Sequence, residues 1–149
     1  MRAPARRPRI YAAHPQTSYG TPQEAGCLDA LARQLPGAEI VDPSRLYSTD
    51  AGWLADWPKM LGSLSGLVVF ADAGATIGAG CWREIGDALA RRLPVAVLEG
   101  RLLRELAGIE LLPVGSRSPR RVGFLVSGRS LADGYLPGLS PVDNLRIHF

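Results

Sequence analysis

Short apolar runs alternate along this chain with longer segments in which apolar residues recur at helical spacing. The apolar runs lie at 9–13, 38–41, 67–71 and 95–98, and a last one lies at 122–126. Continuous runs of this length are typical of strands that are buried on both faces of a parallel sheet. The pattern therefore predicts five short strands separated by helices.

The first helical segment has a complete start signal. Thr21 can cap the helix, Pro22 fits the first helical position, and Glu24 stands where a capping box requires a glutamate. The helical pattern stops at Pro36–Gly37, a pair that ends helices. We therefore predict a helix from about residue 21 to 35, between the first two strands.

The remaining helices follow from periodicity alone. Apolar residues at helical spacing predict a helix over 53–64, bent or restarted by Pro58, and another from about Cys81 to Arg92. A short helical stretch is expected at 102–106. From Ser127 to Phe149 no regular period is present, which predicts an irregular tail.

The alternation of strands and helices predicts an α/β fold with right-handed crossovers. We expect one domain, residues 1–149, built on a doubly wound, five-stranded parallel sheet of flavodoxin-like order 2-1-3-4-5. Ligands bind such sheets beyond the carboxyl ends of the strands, where the winding direction reverses. For this order the crevice lies between the first and third strands, so the loops 14–21 and 72–84 are expected to meet there.

The net charge changes the expected partners only slightly. The chain has 149 residues, 46% of them hydrophobic, and a formal charge of +3. Four arginines lie at positions 2, 6, 7 and 9, so the rest of the chain carries 3 − 4 = −1. We interpret residues 1–8 as a flexible, solvated arm, the alternative being electrostatic contact with an acidic partner. No nucleic-acid polymer is expected as a ligand.

The cysteines and the hydropathy indicate the cellular setting. Cys27 and Cys81 match no metal-binding spacing and give no disulfide framework, so a reducing cytoplasm is expected. No apolar run approaches the roughly 18 residues of a membrane span, and the first residues lack the apolar stretch of a secretory signal. Neither a metal site nor a membrane partner is therefore expected.

The segment from Gly74 to Ala88 is the most informative for function. Gly78 and Gly80 let the backbone approach a ligand, and the helix that follows has a positive dipole end that suits an anion. Glu84 is expected in the first turn of this helix, where the dipole holds it ionised and near enough to the crevice to attack a substrate carbon. The alternative is that Glu84 only satisfies the helix terminus.

Two motifs in the chain resemble those of a known family. The first strand reads Ile10-Tyr11-Ala12-Ala13-His14-Pro15, and the later segment reads Gly80-Cys81-Trp82-Arg83-Glu84-Ile85-Gly86-Asp87-Ala88, followed by Leu93-Pro94-Val95. Over residues 9–98 the chain resembles the nucleoside 2-deoxyribosyltransferase family and its N-glycoside hydrolase relatives. Members begin with an Ile-Tyr-x-Ala-x-Pro strand and carry a Gly-containing segment with Glu-Ile/Leu-Gly-x-Ala before Pro-Val.

The resemblance implies an enzyme that cleaves or transfers at the N-glycosidic bond of a nucleoside or nucleoside 5′-monophosphate, with Glu84 as the nucleophile. It implies no metal or organic cofactor, and a homo-oligomer in which a neighbour's loop or tail completes the site. The family places an aspartate before the third strand, where this chain has Pro58 or Lys59, with Asp56 nearby. A non-catalytic nucleotide-binding or regulatory module of the same fold is therefore the alternative.

Three further residues are candidates for catalysis or substrate binding. Asp72 could orient a ribose hydroxyl or shuttle a proton to the leaving base, or it could cap the following loop. Tyr11 hydrogen-bonds Glu84 if its side chain points to the strand end, and is core otherwise. His14 is either a pH-tuned acid or a loop histidine bonded to backbone.

Aromatic and basic residues complete the expected binding site. Tyr19 and Trp82 could stack on a base, whereas Trp53 and Trp57, at helical spacing, are interpreted as core. Arg83 could contact a 5′-phosphate at the start of the helix, or remain solvated.

Overall fold

The computed structural model describes residues 7–111, 120–130 and 146–148. The strands, in chain order, are β1 (Arg9–Ala13), β2 (Glu39–Val41), β3 (Gly66–Val69), β4 (Thr76–Ile77), β5 (Val95–Glu99), β6 (Leu102–Leu111), β7 (Arg120–Ser130) and β8 (Arg146–His148). The helices are α1 (Pro22–Gln34), α2 (Pro43–Leu46), α3 (Asp50–Gly62) and α4 (Ala79–Ala90). The expected strand at 122–126 lies within β7.

Four parallel strands form one half of the sheet, in the spatial order β2-β1-β3-β5. Ile10 of β1 pairs with Ile40 of β2 on one side and with Gly66 of β3 on the other. The predicted α/β class with a mostly parallel arrangement of these strands is therefore confirmed. Because β1 and β3 are parallel neighbours, the loops that follow them leave from the same edge of the sheet.

The fifth position of the sheet differs from the prediction, because β6 pairs antiparallel with β5. The stretch 102–106, predicted as helix, is the first half of this strand. Gly100, with a φ of +60°, and Arg101 form a two-residue turn that returns the chain directly, so that Glu99 pairs with Leu102. A parallel fifth strand would need a crossover of roughly a dozen residues, which this turn does not provide.

The expected irregular tail also contains strand. β7 pairs antiparallel with β6, and β8 pairs parallel with β6. The prediction of irregular structure is therefore wrong for residues 127–130 and 146–148. The other residues of that tail, 131–145 and 149, lie outside the described residues.

The end of the expected arm contacts the sheet. The Arg7 guanidinium donates a hydrogen bond to the carbonyl oxygen of Ala38 at 3.0 Å, and the Pro8 carbonyl accepts from the N–H of Glu39 at 2.8 Å. The arm prediction is therefore wrong for these two residues, and residues 1–6 lie outside the described part of the chain.

Successive residues of a strand point to opposite faces of the sheet, so the continuous apolar strands have two apolar faces. Helices cover both of them. One face packs against α1 through Ile10, Ala12, Val68, Phe70, Ala96 and Leu98. The other face packs against α3 and α4 through Tyr11, Ala13, Leu67, Val69, Val95 and Val97. In the described ranges no helix is both long enough and apolar enough to cross a membrane.

The two loops that follow β1 and β3 are joined by Asp72. Thr17, in the first loop, donates its hydroxyl to Asp72 Oδ2 at 2.5 Å. Thr76, the first residue of β4, donates its backbone N–H to Asp72 Oδ1 at 2.9 Å within the second connection. The predicted meeting of these loops at the sheet edge is therefore confirmed.

Candidate active site

Glu84 is a buried carboxyl group on α4, with 4% of its surface exposed. Because α4 begins at Ala79, Glu84 lies in the second turn and not, as predicted, in the first. The Tyr11 hydroxyl donates a hydrogen bond to Glu84 Oε2, and the indole N–H of Trp53 donates to the same oxygen at 2.9 Å. The expected contact between Tyr11 and Glu84 is therefore confirmed, and one carboxyl oxygen receives both donors.

The protonation of Glu84 differs from the expectation. Burial raises the pKa of Glu84 to about 7, although the hydrogen bonds from Tyr11 and Trp53 lower it, and the nearby charge of Asp87 raises it further. The prediction that the helix dipole holds Glu84 ionised is wrong, because the dipole acts within the first turn and burial dominates. Near pH 7 the carboxyl group therefore exists in both protonation states, which is a common property of catalytic carboxyls.

Glu84 lines a cleft of about 790 Å³, a size that suits a small organic ligand. The cleft is walled by the loop after β1, the connection between α2 and α3, and the starts of α3 and α4. Six of the predicted site residues line it, namely Tyr11, His14, Tyr19, Gly78, Gly80 and Glu84.

Asp72 belongs to the loop structure and does not line this cleft. Its Oδ1 accepts the backbone N–H groups of Gly74 and Thr76 at 3.0 and 2.9 Å, and its Oδ2 accepts the hydroxyls of Thr17 and Thr76, each at 2.5 Å. Burial alone raises the pKa of Asp72, but these hydrogen bonds outweigh burial and the pKa is lowered. The loop-capping interpretation fits this geometry and the proton-shuttle interpretation does not.

Arg83 and Trp82 also lie outside the cleft. The Arg83 guanidinium carbon lies 5.9 Å from the centre of the Trp53 ring, and Arg83 Nε lies 3.6 Å from Asp87 Oδ2. Trp82 packs against the apolar core between the sheet, α3 and α4. A contact of Arg83 with a 5′-phosphate, or stacking of Trp82 on a base in the cleft, does not fit this arrangement.

Gly78 and Gly80 line the cleft where α4 begins. Gly78 is the N-cap residue, and no side chain caps the helix there. A Cβ atom at Gly80 would lie 3.7 Å from the Trp53 ring, so the first turn of α4 passes close to that ring. This close approach places Trp53 within hydrogen-bond distance of Glu84, one turn further along α4.

His14 lines the cleft, but both of its ring nitrogens have partners. Nδ1 lies 2.7 Å from the carbonyl oxygen of Ala12, and Nε2 lies 2.7 Å from Glu24 Oε2. The carbonyl oxygen can only accept, so Nδ1 is the donor in that bond, and Nε2 and the Glu24 carboxyl group are hydrogen-bonded to each other. The ring also stacks on Phe70, with ring centres 4.5 Å apart. His14 is therefore the backbone-bonded histidine of the two alternatives, and it has an added carboxyl partner.

His14, Glu24 and Asp42 have ligand-type atoms within 4.8 Å of one another, as a metal site would need. These atoms already have partners in the protein. His14 bonds Glu24, Asp42 Oδ1 accepts the N–H of Ser44 at 3.0 Å, and Asp42 Oδ2 lies 3.6 Å from Arg45 Nε. We interpret this group as a hydrogen-bonded structural cluster beside the cleft.

Among the cleft residues that were not predicted as site residues, Trp53 and Tyr47 make side-chain hydrogen bonds that bear on the site. From the sequence Trp53 is interpreted as core, yet it is only half-buried and its N–H binds Glu84. Tyr47 lines the cleft and donates its hydroxyl to Asp56 Oδ2 at 2.5 Å, so Asp56 is linked to the cleft through Tyr47. Trp57 is core, as predicted, with 1% exposed. Its neighbour Trp53 differs because it lies in the first turn of α3, at the cleft end of that helix.

Replacing Tyr11 by phenylalanine is expected to raise the pKa of Glu84 above about 7, because the hydroxyl donor favours the ionised carboxylate. The loss of one hydrogen bond to the ionised carboxylate corresponds to an increase of about one unit in the pKa of Glu84. Carbon-13 NMR titration of the glutamate carboxyl groups measures this directly. Tyr47→Phe is the control, since it leaves both donors to Glu84 in place; an unchanged or lowered Glu84 pKa in Tyr11→Phe would contradict the assignment.

The resemblance to nucleoside 2-deoxyribosyltransferases receives no support from comparison with known proteins, since no family model, curated protein or solved structure matches the chain. The functional assignment therefore rests on the geometry of the Glu84 cleft and on the motifs in the sequence.

Proposed function

We propose that this chain is an enzyme that breaks the N-glycosidic bond of a nucleoside, with Glu84 as the nucleophile. The observation that carries the proposal is the state of Glu84: a buried carboxyl group, with a pKa of about 7, that lines a cleft of ligand size. Tyr11 and Trp53 fix Oε2, which leaves Oε1 as the attacking atom.

In the proposed reaction, Glu84 Oε1 forms a bond to the anomeric carbon of the sugar while the bond from that carbon to the base nitrogen breaks. The electron pair of the broken bond leaves with the base, and a base that carried no positive charge then takes up a proton from solvent. Water, or a second base, attacks the same carbon and loses a proton to solvent, while the bond to Glu84 Oε1 breaks and the carboxylate is released. The donors on Oε2 stabilise the carboxylate before and after the covalent step, and they hold its rotamer throughout.

The aromatic side chains of the cleft support this choice of substrate. Tyr19 and Tyr47 line the cleft together with Trp53, and the flat faces of such rings suit a heterocyclic base. The arrangement of the strands supports the proposal too. The order β2-β1-β3-β5, with helices on both faces, agrees with the first four places of a doubly wound, flavodoxin-like sheet, and such sheets bind ligands at this edge.

The test is to incubate the purified protein with a panel of nucleosides and nucleoside 5′-monophosphates and to follow free base by chromatography. We expect base release by wild type, increasing as the pH rises through about 7 and Glu84 ionises, and none above background by Glu84→Gln. Adding a second base then distinguishes a transferase from a hydrolase.

The alternative function is a non-catalytic nucleotide-binding module, and the same panel detects it. A module of this kind would show thermal stabilisation by a nucleoside without any free base. Glu84→Gln would then change only the affinity. No base from any substrate would therefore exclude the enzymatic proposal.

A further inference from the structure

The charges and rings of the cleft narrow the substrate class. We propose that the cleft selects nucleosides whose base carries a fixed positive charge, such as an N7-alkylated purine or an N-substituted pyridinium, over neutral nucleosides and over nucleotides. This inference rests on the proposed function, because it names the substrate class of the same Glu84 site.

The first support is the sign of the charged groups. Two carboxyl groups line the cleft, Glu84 and Asp50, and in the described part of the chain no lysine or arginine lines it. Arg83, the cation nearest in sequence, lies over Trp53 and is paired with Asp87 outside the cleft. A 5′-phosphate would therefore meet the like charges of Glu84 and Asp50, and the described side chains of the cleft offer it no lysine or arginine, so that only the uncapped first turn of α4 could bind it.

A second support comes from the electrostatic environment of Tyr19. Its pKa is raised above the usual tyrosine value, first by burial and then by the negative charges of Glu84, Asp42 and Glu24. The pKa of Tyr47 is raised first by burial, then by its hydrogen bond to Asp56 and by the charges of Asp56 and Glu84, while Arg9 lowers it. The nearby carboxyl groups therefore disfavour negative charge at both of these rings.

The rings themselves favour a cation. Tyr19 and Tyr47 line the cleft, and aromatic faces attract positive charge through their quadrupoles, whereas the Trp53 ring already has the Arg83 guanidinium 5.9 Å from its centre. Cages of aromatic residues are a common arrangement for binding quaternary nitrogen. The cleft also contains two carboxyl groups, those of Asp50 and Glu84. The Asp50 carboxyl accepts a hydrogen bond from Gln16 at 2.5 Å.

A cationic base also removes a chemical requirement. A neutral base needs a proton as it leaves, and Asp72, for which proton transfer was one of the alternatives, is bound into its loop and does not line the cleft. When the base carries a fixed positive charge, the electron pair of the broken bond neutralises that charge and no proton is needed. Water then completes hydrolysis, and the proton that water loses passes to solvent, so one proton is released per bond cleaved.

The experiment compares matched nucleosides. We expect kcat/KM for 7-methylguanosine to exceed that for guanosine, and kcat/KM for nicotinamide riboside to exceed that for its reduced, uncharged form, by about tenfold or more. Cationic nucleosides are also more labile without an enzyme, so a preference for them could come from their chemistry alone. The ratio of kcat/KM for the charged nucleoside to kcat/KM for the uncharged one is therefore measured again in Asp50→Asn, which changes the cleft and not the substrates. Removing the Asp50 charge is expected to lower both ratios severalfold. Asp29→Asn, an exposed carboxylate on α1 outside the cleft, is the matched control and is expected to leave both ratios unchanged.

The outcomes separate the two proposals. Cleavage of neutral nucleosides at equal efficiency, or ratios that Asp50→Asn does not change, would overturn the charge selectivity and leave the glycosidic function standing. Cleavage of none of the four probes would overturn the charge selectivity, and the glycosidic function falls with it if the wider nucleoside panel also releases no base. A preference for the charged member of each pair that falls in Asp50→Asn supports both.

Discussion

Replacing Glu84 by glutamine is expected to reduce base release by about a thousandfold or more while making the fold more stable at alkaline pH. Activity falls because an amide oxygen is a poor nucleophile and a poor leaving group, although glutamine keeps the volume of the side chain and an acceptor for Tyr11 and Trp53. A merely structural Glu84 would show the stability change without a loss of activity.

The gain in stability follows from the raised pKa. Glu84 has a pKa of about 7 in the folded protein against 4.5 for an unperturbed glutamate, so the folded state holds its proton more tightly than the unfolded state. The contribution of this proton to stability is complete below pH 4.5 and is lost as the pH rises through about 7. Between pH 4 and pH 8 wild type is expected to lose about 3 kcal/mol through this group, and Glu84→Gln loses none of it.

Urea denaturation of both proteins at pH 4 and pH 8 measures the difference in their free energies of unfolding. Glu39→Gln, on the exposed side of β2, is the matched control, because this carboxylate is about half exposed and pairs with Arg9 at the surface. The control is expected to follow wild type closely. A difference between Glu84→Gln and wild type that stays constant with pH would mean that burial does not perturb this carboxyl group.

The second large effect is expected at the His14–Glu24 pair. Both side chains are almost fully buried, and Nε2 and Oε2 are 2.7 Å apart. Replacing Glu24 by alanine removes the partner of His14 Nε2 and the acceptor of the Gly20 N–H, 3.0 Å from Oε1. Breaking a buried pair of this kind costs about 3 kcal/mol or more, because the remaining polar groups stay buried without their partner.

Glu24→Gln separates the hydrogen bonds from the charge. Glutamine keeps an acceptor oxygen for His14 or for Gly20, so its loss in the free energy of unfolding at pH 7 is expected to be about half of that in Glu24→Ala. Urea denaturation measures both variants. Equal stability of Glu24→Ala and wild type would show that the pair contributes nothing net and that the cluster beside the cleft is held by other contacts.

The layered α/β arrangement could be predicted from the sequence because its signals are local. Continuous apolar runs mark β1, β3 and β5, and the Thr21 cap and Pro22 mark the start of α1, where Thr21 Oγ1 accepts the N–H of Glu24 at 3.1 Å. The antiparallel β6 was not predictable in this way. Apolar residues after Gly100 fit a helix as well as a strand, and only the turn geometry at Gly100 and pairing with β5 decide between them.

The candidate site could be predicted in part for a similar reason. Topology places the ends of β1 and β3 together, so Tyr11, Glu84 and the glycines at the start of α4 were within reach of sequence arguments. The role of Trp53 was not, because spacing along α3 does not show which end of the helix reaches the cleft. The role of Asp72 was ambiguous for a different reason, because a carboxylate after a strand can face a ligand or its own loop. The structure shows four hydrogen bonds from the loops to this carboxylate, and the sequence does not show them.

The indole N–H of Trp53, 2.9 Å from Glu84 Oε2, gives the carboxyl group an optical reporter within the protein. Indole emission depends on the charge beside the ring, so the fluorescence of this side chain varies with the ionisation of Glu84 and with anything that displaces water from the cleft. The other two tryptophans do not line the cleft and contribute a background: Trp57 is buried and bonded to Asp87 at 2.8 Å, and Trp82 packs against the core. Occupancy of the cleft can therefore be followed in real time without a label.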